Sequence, residues 1–173
     1  MDFPKLNILL CLSIFLLSSF RAHAKVKFNY CDKKANYDVK VSAVEISPDP
    51  VVSGEAATFK IKASSGQAIS GGDLIIAVSY LGIPVRTENH DFCEEVSSCP
   101  VSSGDFVISH TQTLPSFTPP RNFCVLVQSS CMNPRFLTGS YTLKMTLKDN
   151  KDELLTCIKF SFTIKFGSMV SDA

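Results

Sequence analysis

Apolar and polar residues alternate in several long stretches of this chain, and this pattern most constrains the fold. The alternation is regular in YTLKMTLK (141–148), IKFSFTIKF (158–166) and TFKIKA (58–63). Successive side chains of a β-strand point to opposite faces, so each stretch predicts a strand with one dry and one wet face. YDVKVSAVEI (37–46) alternates in the same way but slips by one residue at Ala43-Val44, which predicts a β-bulge.

The remaining segments complete an all-β pattern. DLIIAVSYLGI (73–83) is apolar on both faces, and DFVISHTQTL (105–114) is partly so. Turn-rich breaks at 47–55, 64–72 and 102–105 separate the predicted strands, and no stretch has a convincing helical period. Antiparallel strands with single apolar faces must bury those faces against each other, so we expect a two-sheet β-sandwich.

The N-terminus is typical of a secretory signal peptide. Lys5 precedes the apolar run LNILLCLSIFLLSSF (6–20), and Ala22-His23-Ala24 fits a small-x-small cleavage site. The alternative is a membrane anchor, but a span needs about 20 apolar residues and this run is shorter. The predicted organisation is therefore a signal peptide at 1–24, one soluble domain at 25–166 and a short tail at 167–173.

Charge and motif content argue against nucleic-acid binding and against catalysis. The predicted signal peptide and the whole chain each have a net charge of +1, so the mature chain is close to neutral and has no basic field. His90 opens the acidic stretch HDFCEE (90–95), but no catalytic or metal-ligating spacing accompanies His90 or His110. We interpret this stretch as a loop of solvated charges and expect no enzyme activity, metal or cofactor.

Cysteine usage predicts disulfides. Cys11 leaves with the signal peptide, and the cysteines that remain are Cys31, Cys93, Cys99, Cys124, Cys131 and Cys157. An even number in an oxidising compartment favours disulfides over thiols or metal ligands. A Cys31–Cys157 bond would tie the two ends of the domain and be worth about 5 kcal/mol, against about 2.5 kcal/mol for the short Cys93–Cys99 loop. The short loop therefore acts locally, either by fixing a hairpin beside an opening or as an ordinary loop staple.

The order of several motifs resembles the ML-domain family. The motifs are YCD (30–32), VKVSAVEISPDPVVSGE (39–55), ISGGDL (69–74), SYLGIPV (79–85), HDFCEEVSSCPVSSGDFV (90–107), LPSFTPP (114–120), GSYTLKM (139–145) and LTCIKFSF (155–162). This lipid-recognition family includes the Niemann–Pick type C cholesterol carriers, and the motifs are most similar to plant members named phosphatidylglycerol/phosphatidylinositol transfer proteins. The resemblance implies an immunoglobulin-like sandwich whose sheets splay to admit the apolar part of a lipid. It also implies Cys31–Cys157 and Cys93–Cys99 as disulfides.

One segment departs from the family pattern. The family usually runs from Pro-Pro almost directly into the Gly-Ser-Tyr strand, whereas this chain carries an atypical insertion (121–138) that contains Cys124 and Cys131. These two cysteines are able to pair with each other. The insertion is either a natural loop extension or unspliced sequence in a gene product, and it adjoins a strand expected to line the cavity.

The resemblance implies specific contact residues for a lipid. Burial of apolar surface gives roughly 25 cal/mol per Å², so contact area alone can hold a sterol or an acyl chain. The wall candidates are Val78, Tyr80, Phe106, Ile108, Tyr141, Leu143, Met145, Phe160 and Phe162. Ile83, Pro84 and Val85 match the family's apolar entrance loop, and Phe117 lies near the same end. Arg86 is a candidate for an anionic headgroup or a solvated surface charge, and ordinary core packing is the alternative for each wall residue.

The sequence thus predicts a monomeric lipid carrier that holds a sterol or a phosphatidylglycerol/phosphatidylinositol-like phospholipid and contacts membranes transiently. The expected location is the extracellular space or apoplast, or the lumen of the vacuole or endomembranes. The alternative is an immunoglobulin-like interaction module or receptor accessory that transfers no lipid. An exposed apolar patch over a filled interior would favour this alternative.

Overall fold

The computed structural model describes residues 24–114 and 138–165, which form β-strands and one 3₁₀ turn at Phe92–Glu94. The strands are β1 (Ala24–Val26), β2 (Phe28–Tyr30), β3 (Val39–Ser47), β4 (Val51–Val52), β5 (Ala56–Ser65), β6 (Gly72–Tyr80), β7 (Ile83–Asp91), β8 (Gly104–Thr113), β9 (Thr138–Asp149) and β10 (Leu154–Lys165). Within these residues there is no helix with the length and apolarity needed to cross a membrane. The predictions that fall outside them concern the signal peptide up to residue 23, Phe117, Cys124, Cys131, the insertion up to residue 137 and the 167–173 tail.

The strands form two sheets, which confirms the predicted all-β sandwich. The four-stranded sheet has the order β1-β3-β5-β8, and all its pairs are antiparallel. The six-stranded sheet has the order β2-β10-β9-β6-β7, with the short β4 parallel to β10. β1 and β2, joined through Lys27, are the edge strands of the two sheets on one side, and β8 and β7 are the edge strands on the other.

The period-two pattern places the core where the sequence predicts it. In β5, Ala57, Phe59, Ile61 and Ala63 are buried, and in β9 and β10 the alternate apolar residues are buried as well. β9 and β10 pair directly, so that Tyr141 is opposite Phe162 and Leu143 is opposite Phe160. The inner faces of both sheets therefore meet as one apolar core.

The predicted bulge in β3 is present, close to the predicted position. Val41 pairs with Ala63 and Ala43 with Lys62, so Ser42 is the extra residue. The shift lets Val41 and Val44 both reach the core although they are three positions apart, which strict alternation would not allow.

The segment 73–83 is not one continuous strand, which corrects the sequence reading. The chain reverses at Leu81-Gly82, and Tyr80 pairs with Ile83 across this two-residue turn. Both turn residues have positive φ, 50° at Leu81 and 82° at Gly82, as the hairpin turns that match strand twist require. YLGIPV is therefore the tip of a β6–β7 hairpin, which we call the β6–β7 tip (residues 80–85).

The two disulfides that the resemblance implies are present. Cys31 follows β2 and bonds to Cys157 in β10, where the Cys31 N–H also donates to the Cys157 carbonyl at 2.9 Å. Cys93 bonds to Cys99 across the loop that follows β7. The Cys93 loop is docked on the four-stranded sheet, because the Ser109 N–H donates to the Glu95 carbonyl at 2.8 Å. This short staple thus holds a loop that bridges the two sheets.

Candidate functional site

The predicted wall residues lie on the inner faces of both sheets. In the six-stranded sheet they form two rows across neighbouring strands, one of Tyr80, Tyr141 and Phe162 and one of Val78, Leu143 and Phe160. Met145 is in the next row, opposite Ile76 and Ile158. Ile108 and the half-buried Phe106 belong to β8 in the facing sheet, where the Phe106 ring meets Phe92 edge-on at 5.9 Å.

Burial falls steadily along the row that ends at the β6–β7 tip. Phe162 and Tyr141 are 4% and 8% exposed, whereas Tyr80 is 39% and Ile83 67% exposed. All four occupy directly paired positions and so lie on the same face of the sheet. The apolar inner face is therefore continuous from the core to solvent at this end of the sandwich.

Aromatic rings make up most of this row. The Tyr80 and Tyr141 ring centroids are 5.0 Å apart, and the Tyr141 and Phe162 centroids are 5.9 Å apart. Phe162 in turn meets Phe59 of the facing sheet edge-on at 5.5 Å. Gly139 makes room for the tyrosines, because an added Cβ would lie 2.9 Å from Tyr141 Cε2 and 3.3 Å from Tyr80 Cε2.

The two tyrosine hydroxyls are the polar groups of this row. Burial raises the pKa of Tyr141, and the neighbouring Tyr80 raises that pKa further. The Tyr141 phenol is therefore neutral at physiological pH and can both donate and accept a hydrogen bond. A neutral phenol beside aromatic rings suits the polar end of an amphipathic ligand.

The predicted entrance residues belong to the β6–β7 tip but do not share one face. Ile83 is opposite Tyr80 and faces inward, while Pro84 is opposite Ser79 on the other face. The pairing then skips Val85, which is a bulge. Leu81, Ile83 and Val85 are all exposed, so the tip presents apolar side chains to solvent.

Arg86 lies just below this tip and is not a free cation. Its Nε donates to Glu88 Oε1 at 2.7 Å, and its guanidinium also forms an ion pair with the same carboxylate. Exposed pairs of this kind are weak, at about 0–1 kcal/mol, so Arg86 remains able to exchange Glu88 for an anionic headgroup.

The sequence predicted that the stretch around His90 is a loop of solvated charges, and this prediction is wrong. His90 belongs to β7, and its ring centroid lies 4.6 Å from that of His110 on β8, which is only 4% exposed. Sequence reasoning missed this pair because its members are 20 positions apart on edge strands of different sheets. The one signal in the sequence was the alternation in β8, which puts His110 on the same face as Phe106 and Ile108.

A cleft of ≈ 400 Å³ lies at the opposite edge of the sandwich, away from the predicted wall. It follows the step from β1 to β2 beside the β3 bulge. Its lining residues are Lys25, Val26, Lys27, Phe28, Asn29, Ser42, Ala43 and Val44. The cleft is open to solvent and includes none of the predicted lipid contacts.

Comparison with known proteins gives consistent matches. The chain matches the ML domain over residues 25–164. It is 29% identical over 142 residues, 80% of this chain and 85% of the relative, to a Dictyostelium discoideum protein with the provisional name phosphatidylglycerol/phosphatidylinositol transfer protein. An MD-2-related lipid-recognition protein of Arabidopsis thaliana is 36% identical over 96 residues, 55% of this chain and 57% of that one.

The fold is similar to that of a Niemann-Pick type C2 protein from Japanese carpenter ant. The TM-score is 0.54 at 18% identity, over 80% of this chain and 99% of that one, so the similarity concerns the fold alone. The family match, by contrast, spans most of the sequence and agrees with the motif order described above. The chain therefore belongs to the ML-domain family.

Proposed function

We propose that this protein binds the apolar part of a lipid between its two sheets and carries the lipid between membranes. Membership of the ML-domain family makes it a lipid-binding protein rather than an enzyme, as the sequence predicted. The two disulfides support a working location in an oxidising lumen or outside the cell.

The observation that carries this proposal is the continuous apolar row from Phe162 to Ile83. The rim positions of this inner face are Tyr80 and Ile83, both substantially exposed. A sterol or acyl chain that enters at the β6–β7 tip meets aliphatic and aromatic surface, in which the Tyr80 and Tyr141 hydroxyls are the polar groups. Contact with this surface contributes roughly 25 cal/mol per Å² of buried area, so no covalent or catalytic group is needed.

The apolar β6–β7 tip also gives a physical reason for membrane contact. Leu81, Ile83 and Val85 are exposed next to the opening of the row. Insertion of these side chains into a bilayer surface would remove them from water and bring the opening to the lipid. The row would then take up a lipid tail without exposing it to solvent.

The test has two parts, both on the purified protein with its disulfides formed. Lipids extracted from the protein are identified by mass spectrometry, and transfer between liposomes is measured separately with a fluorescent sterol and with labelled phosphatidylinositol. We expect stoichiometric lipid and transfer of at least one probe. Phe160→Asp should abolish uptake, because it places a charge in the second row of the wall.

A matched pair of surface variants separates the role of the tip from general effects of charge. Val85→Asp at the tip should slow transfer at least tenfold, while Val107→Asp on the outer face of β8 should not. The two valines are comparably exposed, at 52% and 41%. A protein that folds but carries and takes up neither lipid class would contradict the proposal and favour an interaction module. Equal effects of the two aspartates would contradict the role of the tip.

A further inference from the structure

A cluster of polar side chains joins the two sheets along the side where β7 and β8 are the edge strands. Three side-chain pairs meet across this seam: Glu88 with Gln112, His90 with His110, and Phe92 with Phe106. The first two pairs are polar although His110 lies on the inner face of its sheet, at the end of a row that continues through Phe59 to Ile46. Lipid binding as proposed above makes no use of these two polar pairs.

The two histidines share one carboxylate. His110 Nδ1 lies 3.0 Å from Glu95 Oε1, and His90 Nδ1 lies 3.6 Å from the same oxygen. A carboxylate only accepts hydrogen bonds, so Glu95 places the proton of His110 on Nδ1 and leaves the Nε2 lone pair free. His90 Nε2 is buried and has no hydrogen-bond partner in the described part of the chain.

The third member of the cluster is Glu88, which is oriented by its own partners. Its Oε1 accepts from Arg86 Nε at 2.7 Å and from Gln112 Nε2 at 3.5 Å. Its Oε2 is thereby directed at His90 Nε2, 3.8 Å away, which is too far for a hydrogen bond. His90 Nε2 and this oxygen of Glu88 thus face each other.

We propose that Glu88, His90 and His110 form a Zn²⁺ site that links the two sheets. One donor atom of each residue lies within 4.8 Å of the others. Ligands at about 2.0–2.2 Å from a tetrahedral Zn²⁺ lie roughly 3.4 Å apart, so the donor atoms need to approach one another by up to about 1.4 Å. Two imidazoles and one carboxylate, with water in the fourth position, form a ligand set that Zn²⁺ accepts readily.

The residues around the ligands support this assignment. Glu95 would hold the histidine tautomers, as carboxylates behind metal-bound histidines do, and it acts as a positioning residue rather than a ligand. Its loop is fixed by the Cys93–Cys99 bond and by the Asp91 carboxylate, which accepts from the Cys93 N–H at 2.8 Å. The short disulfide therefore supports the residue that prepares both histidines.

The experiment is a titration of the chelator-treated, disulfide-bonded full chain with ZnCl₂, followed by calorimetry and thermal unfolding. We expect one Zn²⁺ per chain at micromolar concentration and a midpoint of unfolding that rises with Zn²⁺, because the ion binds only the folded state. Mg²⁺ and Ca²⁺, which prefer oxygen ligands, should neither bind nor shift the midpoint. The absence of saturable Zn²⁺ binding would overturn the proposal.

Variants of the proposed ligands test whether the bound Zn²⁺ lies in this cluster. His90→Gln and Glu88→Gln should each lower Zn²⁺ affinity at least tenfold, and Glu95→Gln should lower it about 10–100-fold through the histidines. Glu153→Gln, an exposed carboxylate in the β9–β10 turn, is the matched control and should bind Zn²⁺ like the original chain. Unchanged affinity in His90→Gln would assign the ion elsewhere and refute the site. Lipid transfer is measured in parallel, so failure of this proposal is distinct from failure of the carrier function.

Discussion

The two disulfides should differ in their contribution to stability by about 2.5 kcal/mol, although the distance between their Cα atoms is 5.4 Å in both. The difference comes from the unfolded chain. Cys31 and Cys157 are 126 positions apart and Cys93 and Cys99 are 6 apart, so the first bond removes far more freedom from the unfolded state. The chain-entropy relation gives about 5 kcal/mol for the long loop and about 2.5 kcal/mol for the short one.

Contacts in the folded state increase this difference between the two disulfides. Cys157 is buried, so its replacement by alanine also leaves a small cavity, which adds to the larger value. The Cys93 loop keeps several anchors without its disulfide, because Ile69 pairs with Val101 and Val96 with Ile108. Loss of the Cys93–Cys99 bond should therefore lower the free energy of unfolding by little more than the chain-entropy value.

The assay is urea unfolding at 25 °C of two double variants, Cys31→Ala/Cys157→Ala and Cys93→Ala/Cys99→Ala, against the original chain. Replacing cysteines in pairs keeps the number of remaining thiols even and limits mispairing. The slope of free energy against urea should also rise more in the first variant, because its unfolded state expands more. If the second variant were as destabilised as the first, the argument from loop length would be refuted.

Two further substitutions test the packing of the core and of the aromatic row. Thr156 is fully buried and its hydroxyl has no partner among the described residues, so Thr156→Val should raise the free energy of unfolding by about 1 kcal/mol; a loss would reveal a hydrogen bond at this hydroxyl. Gly139→Val should displace the Tyr80 and Tyr141 rings, lower the free energy of unfolding in urea by about 1–3 kcal/mol and slow lipid transfer. Gly66→Val is the control, because no atom lies within 4 Å of the Cβ that it adds. Equal stability of the two glycine variants would contradict the close approach of the tyrosine rings.

The fold was predictable because its main signal is local. Alternation in 141–148 and 158–166 depends only on neighbouring residues, and both segments are strands with the expected faces. The β6–β7 turn was missed for a local reason too. Two-residue hairpin turns are usually recognised by Asn-Gly or Gly-Gly. Here the first turn residue is Leu81, a large apolar residue at a positive φ, so the usual sequence signal is absent.

The sites were harder to predict because they depend on how the sheets pack. Tyr80 and Phe162 share a row only through the register of three strands, β6, β9 and β10. His90 and His110 meet because two edge strands of different sheets lie side by side, and no spacing in the sequence encodes that contact. Glu95 joins them only because a stapled loop crosses from one sheet to the other.

The single residue between β1 and β2 has a mechanical consequence. Since Lys27 alone connects an edge strand of one sheet to an edge strand of the other, the sheets cannot separate there without breaking strand pairing. On the far side, side-chain pairs join β7 to β8, and the loop after β7 meets β8 through the Ser109 N–H, which donates to the Glu95 carbonyl. We expect the sheets to rotate about the Lys27 edge, so that guests of different thickness are accommodated by a change of angle while the strand pairing within each sheet stays intact.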